Sequence, residues 1–298
     1  MSRTVLITGC SDGGLGAALA VAFHKHGHHV FATARNPDKM ASLKQMNIET
    51  LQLDVTSEDS IKAAVEAISE KTHGSLDILV NNAGTGYSTP LLDASIPDVA
   101  KLLELNTLSV LRVTQFFFPL LRNAQDGALL VNNTSCASAM AVPLQGPYSM
   151  SKAATASMSD VLRQELWPFN IKVVDLKTGT VQSNFFANTT SSGSSQGGEI
   201  HLPERSPYVP GKEQVEKFMR TDIDVTAIPA DQWAEAVVRD LSRKNPPLHV
   251  WRGGNAFQVW LATWLPVGMT DGMMRKMTGL DLVEKYYRGL RDREQKTK

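Results

Sequence analysis

Tyr148 and Lys152 stand four residues apart in the run Tyr148-Ser149-Met150-Ser151-Lys152. On a helix that spacing puts both side chains on one face. An ammonium beside a phenol favours the phenolate and lowers the tyrosine pKa toward the range in which an acid–base catalyst works. Taken alone, such a pair reads more readily as a surface pair. A second chemical feature is the run Thr8-Gly9-Cys10-Ser11-Asp12-Gly13-Gly14-Leu15-Gly16, which follows an apolar stretch and opens a helical one. Residues without Cβ let a backbone approach a pyrophosphate closely, and a helix N-terminus adds free N–H groups and a favourable dipole. For the glycines alone, an ordinary tight strand–helix turn is the plainer reading.

The elements that must position these groups alternate in type. Apolar, strand-like runs fall at residues 4–8, 29–33, 48–53, 76–80, 128–132, 171–176 and 248–251. Helical periodicity is seen at 15–26, 57–71, 99–121, 148–167 and 228–243. This alternation predicts an α/β fold, a Rossmann-type doubly wound parallel sheet covered on both faces. Residues 188–198 are rich in Ser, Thr, Gly and Asn, and Pro203, Pro207 and Pro210 follow. We read 183–228 as a mobile substrate loop rather than a packed element, inside a single domain spanning 1–298. Residues 253–298 form an apolar C-terminal extension.

Ser135 follows the 128–132 run and lies thirteen positions before Tyr148. Asn81-Asn82-Ala83-Gly84 closes the fourth strand, and Thr178-Gly179-Thr180-Val181-Gln182-Ser183 follows the sixth. With the glycine turn and the Tyr–Lys pair, these motifs resemble the short-chain dehydrogenase/reductase family over about residues 3–252. The resemblance implies a catalytic set of Asn106, Ser135, Tyr148 and Lys152. Tyr148 would give a proton to a carbonyl oxygen, and Ser135 would orient that oxygen. Lys152 would bind the nicotinamide ribose and tune Tyr148, and Asn106 would support a relay water. It further implies that Gly9, Ser11, Gly14, Leu15, Gly16, Arg35, Asp54, Val55, Asn82, Ala83, Gly84, Tyr148, Lys152, Gly179, Val181 and Ser183 contact the cofactor, with Asp54 near the adenine. Two departures stand out: Gly13 lengthens the turn by one residue, and Thr178 and Ser183 replace the usual proline and threonine.

Cofactor choice rests on the end of the second strand, Thr33-Ala34-Arg35. The acidic side chain that holds an NAD ribose there is missing. Arg35 offers a planar, permanently charged fork for a 2′-phosphate, so the expected cofactor is NADP(H). Asp12 in the turn argues mildly the other way.

The finer pattern is similar to fungal reductases of the 1-acyldihydroxyacetone phosphate reductase type. It rests on the lengthened turn, Trp167-Pro168-Phe169-Asn170 and Thr178-Gly179. The leading expectation is NADPH-dependent reduction of a ketone on an apolar or lipid-like small molecule. The rivals are an alcohol dehydrogenase working oxidatively on a secondary-metabolite alcohol and a non-catalytic NADP(H)-sensing regulator. In the extension, Trp251, Trp260, Trp264, Met269, Met273, Met274 and Met277 are read first as a core or subunit-interface helix. The alternative is a greasy substrate wall or a peripheral membrane contact.

The formal net charge is zero, which gives no basic excess for nucleic acid. Two cysteines, Cys10 and Cys136, are too few for a disulfide framework and suit a reducing compartment. The first residues carry too short an apolar run for a signal peptide, and no run reaches the roughly 18 apolar residues of a membrane span. The expected location is cytoplasmic, with a peripheral endoplasmic reticulum or lipid-droplet contact through the extension, and the expected assembly is a homo-oligomer. The cluster His24, His26, His28 and His29 is set aside as a metal site, because strand alternation separates His28 from His29.

Overall fold

Strands that are apolar on both faces need cover on both sides. In β1 (Thr4–Thr8), Val5 and Ile7 enter one core and Leu6 the other. The computed structural model describes residues 2–185, 187–191, 200–222 and 226–296. After β1 come α1 (Leu15–Lys25), β2 (His29–Ala34), α2 (Ala41–Gln45), β3 (Glu49–Gln52), α3 (Glu58–Thr72) and β4 (Ile78–Asn81). Next are α4 (Ile96–Leu103), α5 (Ser109–Arg122), β5 (Ala128–Asn133), α6 (Gly146–Glu165), β6 (Ile171–Thr178) and β7 (Val181–Gln182). The last third holds α7 (Lys212–Met219), β8 (Ile228–Pro229), α8 (Ala230–Leu241), β9 (His249–Arg252), α9 (Ala256–Ala262), α10 (Asp271–Thr278) and α11 (Leu280–Lys296).

Seven strands form one parallel sheet in the order β3-β2-β1-β4-β5-β6-β9. Leu19 and Phe23 of α1, with Trp233 and Val237 of α8, cover one face. Ile61 of α3, Phe117 of α5 and Leu162 of α6 cover the other. Chain order reverses between β1 and β4, so a crevice opens at their carboxyl ends, the usual ligand position in such sheets. The expected doubly wound sheet is therefore present.

Three expectations change. The helix expected over 99–121 is α4 and α5 joined by a π-helical turn at Glu104–Leu108, which carries Asn106. The helix expected from 228 begins at Ala230, because Ile228 and Pro229 pair as a short strand with Val181 and Gln182. Residues 200–222, expected to be unpacked, contain α7 and bury Ile200, Leu202, Val215, Phe218 and Met219 against Leu144. Residues 192–198, the Ser/Gly-rich part of that expectation, lie outside the described residues. Among the described residues no helix is long and apolar enough to cross a membrane.

Buried amides fasten the helices to the sheet. Asn81 donates to Thr114 Oγ1 on α5 at 3.2 Å and to Asn132 Oδ1 at 3.0 Å. Asn132 in turn donates to Ser159 Oγ on α6 at 2.9 Å. Asn132→Ala leaves buried groups without their partners and is expected to destabilise the fold by about 1–3 kcal/mol. Urea denaturation followed by circular dichroism measures this, and a loss below about 0.5 kcal/mol would contradict the network's role.

Candidate active site

The site is built at the carboxyl ends of β1, β4, β5 and β6. Ser135 caps a short 3-10 turn after β5, its Oγ accepting from the Ala137 N–H at 3.1 Å. Tyr148 lies in the first turn of α6, buried beside Tyr87 and Leu102, and its hydroxyl is hydrogen-bonded with the Ser135 side chain. Lys152, one turn later, donates from Nζ to the Asn133 carbonyl at 2.8 Å. All three side chains line one cavity of about 1420 Å³. The expected face-sharing of Tyr148 and Lys152 and the convergence of Ser135 on them are both present.

The same cavity runs back over the glycine turn, where Gly9, Ser11, Gly14 and Leu15 line it. Gly9 adopts φ +74°, and a Cβ there would sit 2.8 Å from Ala83 Cα. Gly13 adopts φ +75° and packs under Asn184, whose N–H donates to the Gly13 carbonyl at 3.0 Å. The extra residue is thus absorbed in a left-handed turn against the segment after β7. Arg35 is exposed at the far end of the cavity, with Lys39 beside it in the lining. Val55, Asn82, Ala83, Gly84, Gly179, Val181 and Ser183 complete the lining of this half.

Residues 3–194 match the sequence profile described as short chain dehydrogenase. The chain belongs to the short-chain dehydrogenase family. It is 46% identical to a short-chain dehydrogenase/reductase of Pestalotiopsis microspora, over 96% of this chain and 97% of that one. It is 33% identical to the NADPH-dependent 1-acyldihydroxyacetone phosphate reductase of Schizosaccharomyces pombe, over 91% of this chain and 90% of that one. The crystal structure of a short-chain dehydrogenase from Streptomyces avermitilis superposes with a TM-score of 0.75 at 24% identity, covering 97% and 98% of the two chains. As a member of this family the protein is an oxidoreductase.

Not every expected residue of this short-chain dehydrogenase reaches the cavity. Gly16 lies outside the lining: a Cβ there would be 2.4 Å from the Gly9 carbonyl oxygen, so its smallness serves close helix–strand packing. Asp54 also lies outside the lining, and its carboxylate accepts from the Thr56 N–H at 2.9 Å and hydroxyl at 2.7 Å. Leu53 and Val55 line the cavity on either side of it. Asn106 is buried, bonded to the Thr85 backbone in both directions and to Ser151 Oγ at 3.0 Å. That occupies its amide, so its side chain braces the Thr85 loop against α6. Asp12, which seemed to oppose a 2′-phosphate, is engaged by the Ser42 hydroxyl and N–H at the start of α2.

Three contributors escaped the sequence reading. Lys39 joins Arg35 because a 3-10 turn follows β2. Phe185 packs its ring 5.6 Å from that of Tyr148. A buried ion pair, Lys177 Nζ to Asp175 at 2.6 Å, reaches the Ser135 turn through Ser138 and Thr134. Met273, Met274 and Met277 line the cavity, as the substrate-wall alternative expected, whereas Trp264 faces outward.

Burial pushes the Tyr148 phenol up to about 12, against the downward pull of its Ser135 hydrogen bond. The expected lowering by Lys152 is not found: Nζ is 6.0 Å from the ring centroid and is turned to Asn133. Tyr148 therefore keeps its proton at neutral pH. Burial pushes the Lys152 ammonium down to about 8 from 10.5, with the Asp175 carboxylate opposing. The unfolded chain then binds more protons than the folded one between those two values, so this lysine makes folding stability rise with pH across that window. Between pH 8 and 10 the wild type is expected to gain stability relative to Lys152→Met. Urea unfolding of both proteins at several pH values tests it, and parallel pH dependences would refute it.

Proposed function

We propose that this protein is an NADPH-dependent reductase of a ketone on an apolar small molecule. The observation that carries this reading is the meeting of Ser135, Tyr148 and Lys152 in one cavity that continues to the glycine turn and Arg35. The cradle fits a phosphorylated dinucleotide: Gly9, Ser11 and Gly14 line it at the N-terminus of α1, and Arg35 and Lys39 offer two cations where a 2′-phosphate would lie. The NADPH dependence in the fission yeast relative's name agrees with that choice. When bound, the cofactor supplies the hydride.

The chain's own groups then have distinct tasks. Tyr148, protonated at neutral pH, is the donor to the carbonyl oxygen, acting as general acid. Ser135 hydrogen-bonds the same oxygen and fixes its direction. Lys152, held by the Asn133 carbonyl one helical turn from Tyr148, is placed to hold the nicotinamide ribose. Gly179, Val181 and Ser183 border the nicotinamide end. Phe185, Asn188, Thr189 and Phe218 line the substrate side of the cavity and limit the access of water to the transfer. The same groups serve alcohol oxidation with the proton moving the other way.

Tyr148→Phe keeps the ring and removes the proton donor, and is expected to lower kcat by ~10²-fold or more while cofactor binding survives. Steady-state turnover of a broad ketone panel with NADPH measures it; near-normal turnover by a folded variant would rule out the assigned role. Arg35→Ala is expected to weaken NADPH binding by about 1.5 kcal/mol, the lower end for a charge-assisted contact because Arg35 is exposed, and to leave NADH binding unchanged. Calorimetric titration with both cofactors decides this, since equal losses would disprove the 2′-phosphate contact.

A further inference from the structure

The half of the cavity beyond Tyr148 differs in chemistry from the half over the glycine turn. Tyr87, Phe185, Phe218, Met273, Met274 and Met277 give it an apolar, adaptable wall. Its polar lining is neutral. Gln145 stands one helical turn before Tyr148, and its side-chain amide makes no hydrogen bond with the described chain. Asn255 and Gln258 extend the neutral polar lining at α9.

Among the described residues, the basic side chains that line the cavity are Arg35, Lys39 and Lys152. The first two stand at the end of β2, on the cofactor side, and the third is bonded to the Asn133 carbonyl. Lys217 and Lys276, next to lining residues in sequence, are exposed and outside the lining. Arg220 and Arg275 lie close to Glu216 at 3.4 Å and Asp271 at 3.3 Å. Residues 186, 192–199 and 223–225 contain neither Lys nor Arg. A phosphate dianion placed in the apolar half would therefore lose its hydration without gaining a cation, which is a heavy cost.

We infer that the substrate is an uncharged, largely apolar ketone carrying a second neutral polar group read by Gln145, and that phosphate esters are rejected. This rests on the ketone-reduction reading and deepens it. It also separates this chain from the relative named for a phosphate ester, despite 33% identity. Flexible methionines suit varied hydrocarbon shapes, while Gln145 offers both a donor and an acceptor near the reacting oxygen.

The test uses a matched pair: a long-chain 1-acyldihydroxyacetone phosphate and the same acyl ketone without its phosphate. Binding of each is measured by calorimetry on the full chain, with and without NADP⁺, and turnover is measured with NADPH. The neutral member is expected to bind at least ~10-fold more tightly, the scale set by burying a group the site cannot pair. Gln258→Arg, at an exposed position of α9, adds a cation and should narrow that ratio. Tighter neutral binding without turnover of either compound would uphold the substrate class and count against ketone reduction. Equal or tighter binding of the phosphate ester, binding of neither compound, or a ratio unmoved by Gln258→Arg would overturn the inference.

Discussion

A line of hydrogen bonds crosses the carboxyl edge of the sheet, and the site hangs from it. Asn82 donates to the Thr8 carbonyl at 2.8 Å, Asn133 donates to Asn82 Oδ1 at 2.8 Å, and Thr178 donates to Asn133 Oδ1 at 2.6 Å. Four neighbouring strands are thereby locked in register at the end where the chemistry occurs. Lys152 joins the same line through the Asn133 carbonyl. A buried ammonium is costly unless its hydrogen bonds are met, so the lysine's position and the sheet's edge determine each other. Thr178, which departs from the family's proline, contributes a donor that proline lacks a side chain to make.

Tyr148 shows how the same burial shapes reactivity. Water exclusion raises its phenol, so the resting group is a proton donor, and the direction of its pull on a carbonyl oxygen follows from that state. The ammonium one turn away is turned to the backbone, and Ser135 is the direct partner of the hydroxyl. The buried Asp175–Lys177 pair sits behind the Ser135 turn and braces it from β6.

The sheet and the Tyr–Lys pair were readable from local pattern, and Ser135 from the family resemblance. Short continuous apolar runs mark strands buried on both faces, and a four-residue spacing on a helix fixes a shared face. The rest was hidden for separate reasons. Helix α7 was hidden by Pro203, Pro207 and Pro210, although Val215, Phe218 and Met219 carry helical spacing. Asp54 was assigned to the cofactor, but a threonine two residues on captures its carboxylate locally. Lys39 reaches the cavity through the turn after β2, and Phe185 because the segment after β7 folds back over Tyr148.

The methionine part of the cavity wall comes from α10, after the last strand of the sheet, whereas the family profile ends at residue 194. The hydrogen-bonded edge and the apolar wall are written in separate stretches of chain and meet across open cavity. Substitutions in 256–277 can reshape what is accepted without breaking a bond on which the chemistry depends. Selection can thus treat catalysis and molecular recognition as two nearly independent traits, and descent within the family can diversify one while the other stays fixed.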